Sequence, residues 1–134
     1  MSPREVVLAW LKAFNQQDAD AAAALYHDDA VNIQVAAGEP TVGQHAVRDS
    51  FAYFFLAFPD NYTRPVNLFV DGEWAILEWE GGGTWQNEFA GQPANGRTFR
   101  MQGCGFFNIV GGKIKFQRGY WDKASWFSQL GLRV

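Results

Sequence analysis

The chain of 134 residues carries 11 Lys and Arg against 14 Asp and Glu, a formal net charge of -3 that lacks the concentrated basic surface a nucleic-acid partner requires. Hydrophobic residues make up 48% and charged residues 19%, which excludes disorder and suits one domain with its own core. Aromatic residues reach 16%, including 12 Phe and 6 Trp, enough both to fill a core and to line an apolar pocket for a small hydrophobic ligand.

At the N-terminus, Ser2, Pro3 and Glu5 form the pattern of an N-cap, a first-turn proline and a capping box. Val6, Val7, Trp10, Leu11 and Phe14 then recur at helical spacing. The charges at Arg4, Glu5 and Lys12 interrupt this segment, so it reads as neither a signal peptide nor a membrane span. Asp18 caps a second short helix whose Ala-rich run ends at Leu25 and Tyr26. From Ala30 to Ala36, Val31, Ile33 and Val35 alternate with Asn32 and Gln34, the pattern of a half-buried strand. Gly38, Pro40 and Gly43 mark a loop, and a third helix is predicted over Gln44 to Phe58, stopped by Pro59.

The remainder reads as an antiparallel meander. Strands are predicted over Thr63 to Val70 and Trp74 to Glu80, joined by the Asp71-Gly72 turn. The glycines 81–83 bend the sheet. A loop at 91–96 precedes a strand over Arg97 to Val110, and Gly111-Gly112 turns the chain into a last strand over Lys113 to Trp121. A short helix over Lys123 to Leu130 ends at Gly131. One sheet with helices on one face is an α+β layer architecture, and a curved sheet closed by a long helix leaves a funnel.

Several segments carry a family pattern, in order and at similar spacing along nearly the whole chain. They are Phe58-Pro59-Asp60, Val70-Asp71-Gly72-Glu73, Glu88-Phe89-Ala90-Gly91-Gln92-Pro93 with Asn95-Gly96-Arg97, Gly112-Lys113-Ile114, Tyr120-Trp121-Asp122 and Gln129-Leu130-Gly131. The chain resembles the SnoaL-like branch of the nuclear transport factor 2-like superfamily. That resemblance implies a cone-shaped, curved antiparallel or mixed sheet wrapped by three N-terminal helices, with a short C-terminal helix. It also implies one domain over 1–134 and an internal pocket. The superfamily holds cofactor-independent cyclases, isomerases, dehydratases and hydrolases as well as proteins that only bind ligands or partners, so fold leaves function open.

In the last strand, Ile114 and Phe116 set an apolar parity that continues through Arg118 and Tyr120 to Asp122. An inward Asp122 would match the aspartate that SnoaL-like cyclases use as general acid or base, with Tyr120 and Arg118 beside it. The same Asp122 is placed to N-cap the last helix, and a bulge near Gly119 would turn Trp121 inward in its stead. Asn32 and Gln34 fall on the polar side of the first strand. Solvent is one destination for them; the resemblance implies the pocket, with Asn32 as the first choice. Glu78 and Glu80 share parity with Trp74 and Ile76, and either one supplies a second pocket carboxylate or both belong to an acidic solvent face. The expected ligand-binding set is therefore Asn32, Gln34, Glu78, Trp74, Phe116 and Trp121.

Three positions depart from relatives of this fold. Glu78-Trp79-Glu80 stands where epoxide hydrolases carry an Arg and an Asp two residues apart. Trp85 stands where many SnoaL-like proteins carry His, and Gly105 stands where ketosteroid isomerases keep a protonated aspartate. His27, His45 and the single Cys104 have no metal-ligand spacing, so no metal and no cofactor is expected. One unpaired cysteine suits a reducing, cytoplasmic compartment. Trp79, Trp85, Phe107 and Ile109 exceed what one inner face can hold by alternation, so some of them cover a helix or a partner; together with the resemblance this predicts a homodimer, with cover by the long third helix as the alternative.

Overall fold

The computed structural model describes all 134 residues. Its elements, in chain order, are α1 (Pro3–Asn15), α2 (Ala19–Ala23), β1 (Tyr26–Gln34), β2 (Thr41–Val42), α3 (Gln44–Ala57), β3 (Tyr62–Asp71), β4 (Trp74–Thr84), β5 (Thr98–Val110), β6 (Lys113–Trp121) and α4 (Lys123–Leu130). The six strands form one mixed sheet in the order β2-β1-β6-β5-β4-β3, with β1 and β6 parallel and every other pair antiparallel. No helix is long and apolar enough to cross a membrane.

The helix ends follow local chemistry. The capping box of α1 is complete: Ser2 Oγ accepts from the Glu5 backbone N–H, and Glu5 accepts from that of Ser2. Asp18 caps α2, which stops at Ala23, so Tyr26 opens β1 and does not end the helix. Gly131, at a φ of 78°, terminates α4 in the left-handed conformation that glycine adopts at least cost.

The helices α1, α2 and α3 lie on one face of the sheet. Val6, Val7, Trp10, Leu11, Val47, Phe51 and Phe55 pack there against Leu77, Phe107, Ile109 and Ile114. A second cluster, Phe58, Trp85, Phe99, Trp126 and Leu130, anchors α4. At about 1.5–3 kcal/mol for each fully buried large apolar side chain, these clusters supply the main driving force for folding. Trp85, Phe107 and Ile109 are fully inside, and Trp79 packs against the core as well. The surplus of apolar strand residues is real, but it sits elsewhere. Phe69, Trp74, Ile76, Phe106, Phe116, Val31 and Ile33 occupy the opposite face of the sheet.

Three strands depart from simple alternation. Between β5 and β6, Asn108 pairs with Phe116 while Ile109 pairs with Ile114, so Lys115 is an extra residue on β6. The bulge turns Ile114 and then Gln117, Gly119 and Trp121 toward the helices, and Phe116, Arg118 and Tyr120 away from them. The expected register, with Ile114 and Phe116 on one face, is corrected accordingly. The cause is this bulge, four residues before Gly119. In β1 the inward set is Tyr26, Ala30, Asn32 and Gln34, while Val31 and Ile33 face outward. The β3–β4 register also shifts between Pro65 and Asn67.

Glycines allow the sheet to bend where β3, β4 and β5 meet. A Cβ on Gly81 would lie 2.5 Å from the Tyr62 carbonyl oxygen, and one on Gly82 2.5 Å from that of Phe99. No other residue permits backbones to approach this closely.

Candidate functional site

Between the helices and the inner face of the sheet lies a cavity of about 320 Å³. Its walls are mainly aromatic: Trp10 and Phe14 from α1, Phe51 and Phe54 from α3, and Leu77, Trp79, Phe99, Met101 and Phe107 from the sheet. Gly105 and Gly119 are paired across β5 and β6 and clear the floor. A Cβ at Gly119 would collide with the Gln34 amide, whereas one at Gly105 would meet nothing closer than Phe107 at 3.4 Å. Exposed Ala37, Glu39 and Tyr62 mark where the cavity reaches solvent.

The polar part of the floor comes from β1 and β6. Asn32 and Gln117 are register partners, each only 5% exposed, and both line the cavity. The Trp10 indole N–H donates to the Tyr26 hydroxyl at 3.0 Å, and that hydroxyl donates to Gln117 Oε1. Burial pushes the Tyr26 phenol far above its ordinary range, outweighing the opposing effect of the Trp10 hydrogen bond, so it keeps its proton. Beside this chain, Trp121 Nε1 donates to Gln34 Oε1 at 2.9 Å and Gln34 Nε2 donates to Asn32 Oδ1 at 2.8 Å. Trp10, Tyr26 and Gln117 were not among the site residues expected from sequence. Their only signal there is that a buried Tyr or Trp needs a polar partner.

Three of the expected residues, Asn32, Gln34 and Trp121, line the cavity together. The other six do not. Arg118 lies on the outer face with its guanidinium 5.6 Å from the ring centroids of both Phe106 and Phe116. It forms no ion pair with Asp122 or Glu78, and its Nε is buried without a partner. Tyr120 is 43% exposed and packs edge-on against Phe106. Trp74 meets Phe116 on the same outer face. Glu78 accepts from Asn67 there, and Glu80 pairs with Arg64.

Asp122 takes the capping position. Its Oδ1 accepts from the Ser125 backbone N–H at 3.0 Å. It borders a polar surface groove shared with Tyr62, Arg64, Glu80, Arg100 and Ser125. Trp85 is buried in the α4 cluster, donating to the Asn87 carbonyl at 2.7 Å. No group of three or more His, Cys, Asp and Glu side chains converges as metal ligands would.

Asp122→Asn should leave the melting temperature nearly unchanged, because Asn caps as well as Asp, whereas Asp122→Ala should cost about 1 kcal/mol in chemical denaturation. Tyr26→Phe should cost about 1–3 kcal/mol, because it strands a buried indole N–H and a buried amide oxygen. Denaturant unfolding followed by circular dichroism checks both.

The comparisons with known proteins agree with this architecture. A crystal structure of a candidate SnoaL-like polyketide cyclase from Jannaschia sp. CCS1 superposes with a TM-score of 0.87 at 16% identity, covering 98% of this chain and 93% of that one. A candidate polyketide cyclase from Pseudomonas putida KT2440 gives 0.82 at 26% identity, covering 97% and 98%. A Catenulispora acidiphila protein described as having a ketosteroid isomerase-like fold gives 0.82 at 20% identity, covering 99% and 96%. No curated protein sequence matches significantly. The family model for SnoaL-like polyketide cyclases matches residues 4–130, and the chain therefore belongs to the SnoaL-like polyketide cyclase family.

Proposed function

We propose that the cavity binds a small, largely apolar, oxygenated molecule and that the protein acts on it in the manner of a cyclase. The observation that carries this reading is the composition of the lining. An aromatic wall encloses a neutral amide floor, a setting that suits a flat or folded hydrophobic ligand with a few oxygens. Family membership supports ring closure as the reaction class. Holding a flexible chain with its reacting atoms in contact is itself a large part of such catalysis.

The lining contains one carboxylate, Glu39 at the rim, and one phenol, Tyr62. Proton transfer by Asp122 draws no support from where that side chain lies. The orientation of the lining favours confinement and hydrogen bonding over a carboxylate at the cavity floor. A protein that binds such a ligand without turnover is the second reading, favoured by the same lack of an ionisable group on the floor.

Gly105→Val tests the site directly, since it adds a side chain at a cavity-lining position where a Cβ meets nothing closer than the Phe107 ring at 3.4 Å. In a panel of polycyclic aromatic ketones and phenols followed by tryptophan quenching, the wild type should bind members that Gly105→Val binds at least about tenfold more weakly, an arithmetic loss of roughly 1.4 kcal/mol. Equal binding by both would place the ligand elsewhere.

We also propose a homodimer formed through the outer face of the sheet. Phe69 at 59% and Trp74 at 38% exposure, with the partly buried Phe106 and Phe116, put several large apolar side chains on that face. The partnerless Arg118 Nε lies within it. Sedimentation should give a dimer at micromolar concentration for the wild type and a monomer for Trp74→Glu. A monomeric wild type would refute the dimer.

A further inference from the structure

The two hydrogen-bond chains under the cavity have a fixed direction, and it determines what the floor offers a ligand. An indole N–H can only donate. Trp10 therefore makes the Tyr26 oxygen an acceptor, and the single Tyr26 proton must go to Gln117 Oε1. Turning the Gln117 amide over would leave that buried proton with no acceptor. Trp121 in the same way makes Gln34 Oε1 the acceptor, which turns Gln34 Nε2 toward Asn32 Oδ1. Both chains thus end with an amide oxygen facing the protein and an amide NH2 facing away from it.

Those two groups, Asn32 Nδ2 and Gln117 Nε2, have no partner in the protein. Neither is among the side-chain atoms sealed from solvent without a hydrogen bond, unlike Trp126 Nε1 and Asn61 Oδ1. Their residues are register neighbours on one face, both almost wholly buried, so the only space they touch is the cavity. No carboxylate shares that floor, and Glu39 lies at the exposed rim.

We propose that Asn32 and Gln117 form a donor-only subsite that seats one carbonyl or enolate oxygen of the ligand. The proposal rests on the reading of the cavity as the ligand site and specifies which end of the ligand goes to the floor. An acceptor oxygen there fills donors that are otherwise unpaired. A hydrocarbon leaves them stranded, and an ammonium group would meet hydrogens with hydrogens. Fixed donors also bind an oxygen more strongly as it gains negative charge, which suits a ketone drawn toward its enolate.

The test compares 9-fluorenone with fluorene, two flat tricyclic probes that differ in a carbonyl against a methylene. Wild-type protein should bind fluorenone roughly tenfold or more tightly than fluorene, as two donated hydrogen bonds allow. The carbonyl stretch of bound fluorenone should move to lower frequency than in an apolar solvent. Gln117→Met and Asn32→Leu should each lose most of the preference and part of the infrared shift while still binding fluorene. If one variant fails to fold, the other carries the comparison, and the wild-type spectrum stands without either. Equal affinities, an unshifted carbonyl band or a preference retained in both folded variants would overturn the donor pair and leave the cavity as a ligand site. Binding of neither probe at their solubility limit would overturn the cavity reading and the pair with it.

Discussion

The extra residue at Lys115 decides which side of β6 meets the cavity. A strand has a side-chain period of two, so one inserted residue exchanges the faces of everything beyond it. Here that exchange brings Gln117, Gly119 and Trp121 under the helices and moves Arg118 and Tyr120 to the outer surface. The neighbouring strand bends to match. On β1, Tyr26 is opposite Ile114, yet Val31 is already opposite Phe116, so the irregularity spans both strands. Lys115 Nζ contacts both Asp29 carboxylate oxygens at 2.7 and 2.8 Å, and these hydrogen bonds, with the charge of Lys115, hold the Asp29 carboxyl below its usual range. Asp29 is exposed, so this pair adds little stability by itself. It bridges the irregular stretches of β1 and β6.

From that register the chemistry of the interior follows. A tight apolar core surrounds the cavity, while the cavity floor is built from amides held by indoles and a phenol. Tyr26 and Trp10 belong to the core, yet their hydrogen bonds end at a cavity-lining side chain. The packing that stabilises α1 against the sheet therefore also orients Gln117. Trp121 does the same for Gln34 and Asn32. Gly119 makes room for that second chain, since any side chain there would displace the Gln34 amide.

Much of this architecture was legible in the sequence. Ser2 and Glu5, Asp18, Asp71-Gly72, Gly111-Gly112 and Gly131 announce helix ends and turns through local chemistry that tertiary structure did not override. Family resemblance gave the sheet and its cavity. The site was harder to read for a physical reason. The bulge residue is an ordinary lysine in a run, Lys113 to Gln117, that alternates polar and apolar with Lys115 counted in, so the sequence puts Ile114 and Phe116 on one face. In β1 the usual pattern is inverted: Val31 and Ile33 face outward because the outer surface is apolar, and Asn32 and Gln34 face inward because the cavity floor is polar. Gly105 and Gly119 carry no hydrophobic signal, although they shape the cavity floor. Asp122 satisfied two patterns at once, and the capping geometry is the one it adopts.

The two ends of the sheet have a consequence for how this chain meets its neighbours in a crowded solution. One edge is β2, only two residues long. The other is β3, where Pro65 offers no N–H and the pairing with β4 slips beside it. Neither edge presents a long, regular ladder of free backbone groups on which a second chain could extend the sheet. Such edges resist runaway strand-to-strand aggregation, a protection that a polypeptide with this much exposed aromatic surface needs.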